Sequence, residues 1–389
     1  MAKRKSTKVI ESAPPPVMPA GERPLSLEDV LGQDAAVAVL RRSLDAGRVH
    51  HAWIFSGPMG VGKRSTAEAF AAWLLDPDFG ANLMGQPELD PGSPTQRMIA
   101  SRSHPDLHVI TKELAAFSSS ADLRDRKQTN IPIDLLRERM LGGEVGAKYI
   151  EPIVAKAPSM GHHKVFIIDE AELLDIYGQN ALLKTLEEPP EGTYLILVTT
   201  AEDRLLPTIR SRCQRVAFNQ LPAPAMEEWF SRRAIDPAPS AEERAWVLRF
   251  SSGSPGRALV ALQTGLFNWA VTLEPMLREA DAGRYRPDLG PTMAKLVDEW
   301  AAQWVKERDA ASKEAANRAA AGHLFTMIAD RARHSLRSAA GRDAPTVARA
   351  TRMIDVVQEA EDLVRRNVQL GMAMEYIAVE SARTPAGAC

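Results

Sequence analysis

Three glycines and a lysine crowd into the run Gly57-Pro58-Met59-Gly60-Val61-Gly62-Lys63-Arg64-Ser65, which follows an apolar stretch and precedes the helix-forming Thr66 to Leu75. Gly57, Gly60 and Gly62 permit a backbone that turns successive amides toward a phosphate. The helix start adds partial positive charge, and Lys63 can reach the outer phosphates. The chemistry implied is nucleotide binding. A tight glycine-rich turn with a surface lysine would share this composition, but it would not need a strand before it and a helix after it.

The residue after the lysine should carry a hydroxyl that ligates magnesium between the terminal phosphates. Here it is Arg64. Ser65 comes one step later, roughly 100° further round a helix, so it is badly placed to substitute. ATP and Mg2+ binding with impaired hydrolysis is the expectation. A second group with catalytic potential is Val165-Phe166-Ile167-Ile168-Asp169-Glu170-Ala171-Glu172, an apolar strand delivering acids at its carboxyl end. There Asp169 would hold the magnesium and Glu170 would polarise the attacking water. Two solvated acids capping the next helix are the alternative. Thr199 and Thr200 end another apolar run and can reach a terminal phosphate.

Groups so far apart in sequence need a scaffold that brings strand ends together. Short apolar runs at Ala52 to Ser56, Leu107 to Ile110, Val165 to Ile168, Tyr194 to Thr199 and Arg215 to Phe218 alternate with helix-period segments. That alternation predicts an α/β domain with a buried parallel sheet. Residues 76–104, rich in Pro and Gly, and 117–130, rich in Ser and charge, read as surface excursions. After Leu221-Pro222-Ala223-Pro224 the strand signal ends and apolar spacing of three and four takes over, predicting helices to the end. The expected division is a loose tail at 1–22, a nucleotide-binding core at 23–220, a small helical domain at 221–265 and a larger helical domain at 266–389. No internal repeat is visible.

The chain has 389 residues, 45% of them hydrophobic, with 48 Lys plus Arg against 50 Asp plus Glu. This balance excludes a disordered or fibrous chain, and the net charge of −2 supplies no general attraction to a polyanion. Two cysteines, Cys213 and Cys389, cannot build a disulfide framework or a four-thiolate zinc site. No apolar run approaches the roughly 20 residues that span a bilayer, and no signal-peptide core precedes the first domain. A cytoplasmic protein with no membrane contact is the expectation.

Two longer motifs add to this. Asn180-Ala181-Leu182-Leu183-Lys184-Thr185-Leu186-Glu187-Glu188-Pro189-Pro190 and Leu206-Pro207-Thr208-Ile209-Arg210-Ser211-Arg212-Cys213-Gln214 resemble bacterial clamp-loader ATPases of the AAA+ class, with the delta-prime type of DNA polymerase III subunit as the nearest likeness. Supporting pieces are Leu31-Gly32-Gln33, His50-His51-Ala52, His104-Pro105-Asp106 and Ser252-Gly253-Ser254-Pro255-Gly256-Arg257. The likeness is strong over about 23–265. It continues weakly to Ala360-Glu361-Asp362-Leu363-Val364-Arg365-Arg366-Asn367-Val368 in the region of the family's oligomerisation collar.

The resemblance implies an AAA+ P-loop core with a helical lid and an all-α collar. It implies a hetero-oligomer with delta and gamma/tau type subunits that uses ATP to load a sliding clamp on primer-template DNA during replication. It implies that Arg212 acts in trans as an arginine finger on the nucleotide of a neighbouring subunit, that Thr200 senses phosphate and that Arg257 folds over the subunit's own nucleotide. The family's cysteine module is missing from 76–104, so no zinc is expected. The chain would then be part of a nucleotidyltransferase holoenzyme, with weak ATPase activity of its own. A gamma/tau-type ATPase and a self-contained AAA+ motor such as a branch-migration helicase are the competing readings, and a vestigial nucleotide site with a working collar is a third.

Blander readings stand beside several of these residues. Arg212 can pair with a local carboxylate, and Arg257 can be a surface residue at a helix start. His162 and His163 lack evident metal partners, and Cys213 lacks a catalytic base. Trp269, Trp300 and Trp304 suit core or interface packing. Arg331, Arg333, Arg337 and Arg342 suit a solvated helix face better than a DNA contact.

Overall fold

The computed structural model describes residues 26–77, 80–81, 87–90, 92–124, 129–233, 239–306 and 313–383. The expected tail at 1–22 lies outside them. The described residues divide into two compact units, one within 26–233 with 252–257, the other within 239–251 with 258–383.

The first unit is built on five strands: β1 (Ala52–Ser56), β2 (Leu107–Ile110), β3 (Lys164–Ile168), β4 (Thr193–Thr199) and β5 (Gln214–Ala217). Every pairing is parallel and the spatial order is β2-β3-β4-β1-β5. All five runs expected from the sequence are present, with ends shifted by at most one residue. β1 and β3 are apolar on both faces because helices cover both sides. Ile54, Phe166, Ile168 and Leu197 are fully buried, each contributing roughly 1.5–3 kcal/mol. On the other face Trp53 meets Phe70 edge-on, and Phe55 packs on Phe218.

This is the α/β architecture with a buried parallel sheet that the sequence predicts, with the glycine-rich loop following its first strand. Register places Ser56 beside Thr199 and Ile110 beside Ile168, so the carboxyl ends of four strands are level. Between β1 and β3 lies only β4. The phosphate loop and the acids therefore open on the same edge, where ligands bind in such sheets.

Helices α1 (Asp34–Asp45) and α2 (Lys63–Leu75) flank this end; α2 begins at Lys63, earlier than the predicted Thr66. Residues 76–104 are more than a surface excursion. They hold α3 (Pro94–Ala100), where buried Gln96 donates to Asp76 Oδ2 (2.9 Å) and Ala72 O (3.2 Å). Within 117–130, Leu123 is buried, and 125–128 lie outside the described residues. A short antiparallel ribbon, Gly143–Val145 with Lys148–Ile150, has no counterpart among the expected strands. α4 (Ile176–Glu187) is capped by Asp175, whose carboxylate accepts from Gly178 N.

The second unit is all-helical among its described residues, as the apolar spacing predicts. It comprises α5 (Ala241–Ser251), most of α6 (Pro255–Thr264), α7 (Leu266–Asp281), α8 (Leu289–Lys306), α9 (Lys313–Ala339), α10 (Ala344–Arg365) and α11 (Leu370–Ser381). α8, α9, α10 and α11 pack in a closed ring around Met293, Leu324, Ile328, Val356 and Ile377, with α7 laid against it. Among the described residues no helix is long and apolar enough to cross a membrane.

Candidate nucleotide site

The loop joining β1 to α2 depends on glycine at specific points. Gly60 and Gly62 have φ of 75° and 98°, in the left-handed region that side chains avoid. A Cβ on Gly57 (φ 149°) would collide with the Phe218 carbonyl oxygen. Two further segments are stitched to the loop. Ser254 Oγ donates to Met59 O (3.0 Å) and accepts from Arg257 N (3.2 Å), while Gly256 N donates to Gly60 O (2.9 Å). Buried Gln33 donates to Val61 O (3.2 Å) and Asn219 O (2.7 Å) and accepts from Asn219 N (3.2 Å). The sequence motifs contained Gln33, Ser254 and Gly256 but gave no sign that they fasten the phosphate loop.

Lys63 is only 6% exposed. Its ammonium curls back onto the loop and donates to Gly57 O (2.7 Å) and Pro58 O (2.5 Å). Burial pushes its pKa down to about 8, against the opposing pull of Glu172 and Asp169.

Arg64, in the first turn of α2, reaches across to the end of β3. Its Nη1 meets Asp169 Oδ2 at 3.2 Å and its Nε meets Glu68 Oε1 at 3.0 Å. Burial works against the guanidinium charge, but Glu68 and Asp169 outweigh it. Asp169 is held above the usual carboxylate range by burial, which Arg64 only partly offsets. Ser65 is half-buried one step further along.

Glu170 has its own cation, because Lys112 Nζ donates to both carboxylate oxygens (2.8 and 2.6 Å). The residue sits in the left-handed region at φ 51°, a strained conformation for a non-glycine residue. Lys112 escapes sequence reading; the only trace is a basic residue just past a strand whose neighbour delivers an acid. Glu172 takes the Thr200 hydroxyl (2.5 Å) and backbone N–H (3.1 Å). Burial would raise its pKa, but the Thr200 bond and its companions bring it below the ordinary value. Asp169, Glu170, Lys63 and Arg64 are thus brought together, with Thr200 bound to the neighbouring acid.

Arg212 lies just before β5, an edge strand of the sheet. Its guanidinium bonds Glu187 Oε1 (2.6 Å), Thr208 O (2.9 Å) and, more weakly, Ser211 Oγ (3.5 Å). The local carboxylate pairing weighed at the sequence level is therefore present. Both partners are at least a third exposed, and such surface pairs contribute about 0–1 kcal/mol.

Other candidates resolve into structural roles. Burial pushes the Cys213 thiol up to about 12, which makes it a poor nucleophile. His163 shares Nδ1 with Leu74 O (2.8 Å). Trp269 is core, and Trp300 stacks on Trp304. Arg331 is no solvated-face residue, since it pairs with Glu274 (2.8 Å) and Asp281 (2.7 Å); Arg333, Arg337 and Arg342 are exposed.

Residues 32–222 match the family model described as "DNA polymerase III, delta subunit". DNA polymerase III subunit gamma/tau of Mycobacterium tuberculosis is 32% identical over 281 residues, 71% of this chain and 42% of that protein. DNA polymerase III subunit delta' of Pseudomonas aeruginosa is 34% identical over 207 residues, 53% of either chain. A solved DNA polymerase III gamma subunit-related protein of Thermotoga maritima is 17% identical, with a TM-score of 0.44, and is covered completely by 90% of this chain. The chain spans about half or less of the length of these two curated relatives.

Proposed function

We propose that this chain is a clamp-loader subunit of DNA polymerase III of the delta-prime type, a reading supported by its likeness to the family model over residues 32–222 and to the gamma/tau and delta' subunits. The chain binds ATP through Gly57, Gly60, Gly62 and Lys63, with Arg64, Ser65, Asp169, Thr200 and Arg257 around the nucleotide, and hydrolyses it poorly. Its main contribution is Arg212, presented to the nucleotide of an adjacent subunit, where a fixed guanidinium neutralises charge developing on the transferred phosphoryl group.

The observation that carries this reading is that both acids are already held by cations. Asp169 has Arg64 and Glu170 has Lys112. A carboxylate engaged by a guanidinium is a weak ligand for magnesium, and one chelating an ammonium is a weak polariser of water.

The partners are the delta and gamma/tau type subunits, the sliding clamp and primer-template DNA. The hetero-oligomer works in the cytoplasm, without zinc. Residues 221–265 act as lid and 266–389 as collar. A gamma/tau-type ATPase is the second reading, favoured by the longer stretch matched to those relatives. It needs a free Asp169 and a hydroxyl after Lys63.

Reconstituting the assembly with Arg212→Ala tests the proposal. Turnover at the neighbouring site should fall by about 10³-fold or more, the scale of an arginine finger supplied in trans. ATP affinity of the variant chain itself should not change. Normal clamp loading by Arg212→Ala would end the proposal, and vigorous ATPase activity of the isolated chain would favour the motor reading.

A further inference from the structure

Magnesium in a phosphate-loop site needs oxygen ligands in near-octahedral array, usually from the hydroxyl after the lysine and an acid at the end of the neighbouring strand. The two corresponding positions here are Arg64 and Asp169, and they are bonded to each other at 3.2 Å. The first supplies a cation where an oxygen is wanted, and the second is already neutralised. The donor set does not fit the ion.

A guanidinium carries five N–H donors. Asp169 and Glu68 engage two of them, which leaves three. Arg64 follows directly on Lys63, whose ammonium rests on loop carbonyls at 2.5 and 2.7 Å. Two adjacent residues at one helix start therefore present fixed positive charge, and a planar fork suits bidentate phosphate recognition. We propose that Arg64 takes the place of magnesium, so that this loop binds a nucleoside di- or triphosphate as the metal-free anion. Glu68 and Asp169 hold the guanidinium in place, as second partners do for a bound metal's ligands. The inference rests on the nucleotide-binding reading above and specifies its ligand.

The test is a calorimetric titration of the full chain with ATP, once in EDTA and once in millimolar Mg2+. Wild type should bind in EDTA at least as tightly as in magnesium. Arg64→Ser, which restores the missing hydroxyl, should weaken binding in EDTA by about tenfold or more and make it magnesium-dependent. Asp169→Asn is the second variant. It should change binding in EDTA and in magnesium by the same factor, because it acts only through the placement of the guanidinium, whereas loss of a metal ligand would weaken binding in magnesium alone. Wild-type binding that disappears in EDTA would overturn the proposal and leave nucleotide binding standing. Absence of binding in both conditions would overturn both.

Discussion

Lys63 faces two opposed demands. It must be charged to hold a phosphate, yet it is buried, and burial brings its pKa to about 8 from 10.5. Above pH 8 the ammonium empties, so ATP affinity should fall toward pH 9.5, with proton uptake on binding that calorimetry in buffers of different ionisation enthalpy would detect. The unfolded chain keeps this proton to about 10.5. Between about 8 and 10.5 the unfolded state therefore binds more protons, and the nucleotide-free fold should gain stability as pH rises. Thermal melts across that window check the sign. The phosphate loop and the acidic strand end were legible in sequence because each residue type has few uses at such spacing. Lys112 and the Arg64–Asp169 pair were not, since a long flexible cation reveals its partner only when the strands are assembled.

At the level of elements, the sheet was legible because strands buried on both faces leave uninterrupted apolar runs. The ribbon at 143–150 was missed for the opposite reason: its side chains are mostly exposed, so it carries no such run. The docking of 252–257 on the phosphate loop is a backbone event that apolar patterning cannot encode. A Cβ on Gly256 would stand 2.7 Å from Gly60 Cα. Gly256→Ala should therefore push the loop out of shape, lowering ATP affinity by about tenfold or more and costing on the order of 1–3 kcal/mol of stability. Ser254→Ala removes two hydrogen bonds without a clash and should cost about 1–2 kcal/mol by chemical denaturation. An equal loss of ATP affinity in the two variants would contradict the steric argument.

For the whole molecule, a net charge of −2 over 389 residues leaves non-specific DNA binding to local patches. Arg331, with two carboxylates of its own, contributes nothing to such a patch. The isolated chain should bind duplex DNA no more tightly than about 10⁻⁵ M at physiological salt, a limit that fluorescence anisotropy can measure. Submicromolar binding would show that charge balance misleads here. Finally, the ammonium of Lys63 already rests on Gly57 O and Pro58 O, so an incoming phosphate displaces existing hydrogen bonds instead of filling a void. A phosphate taken up there would therefore gain only the difference between two well-satisfied arrangements of the lysine.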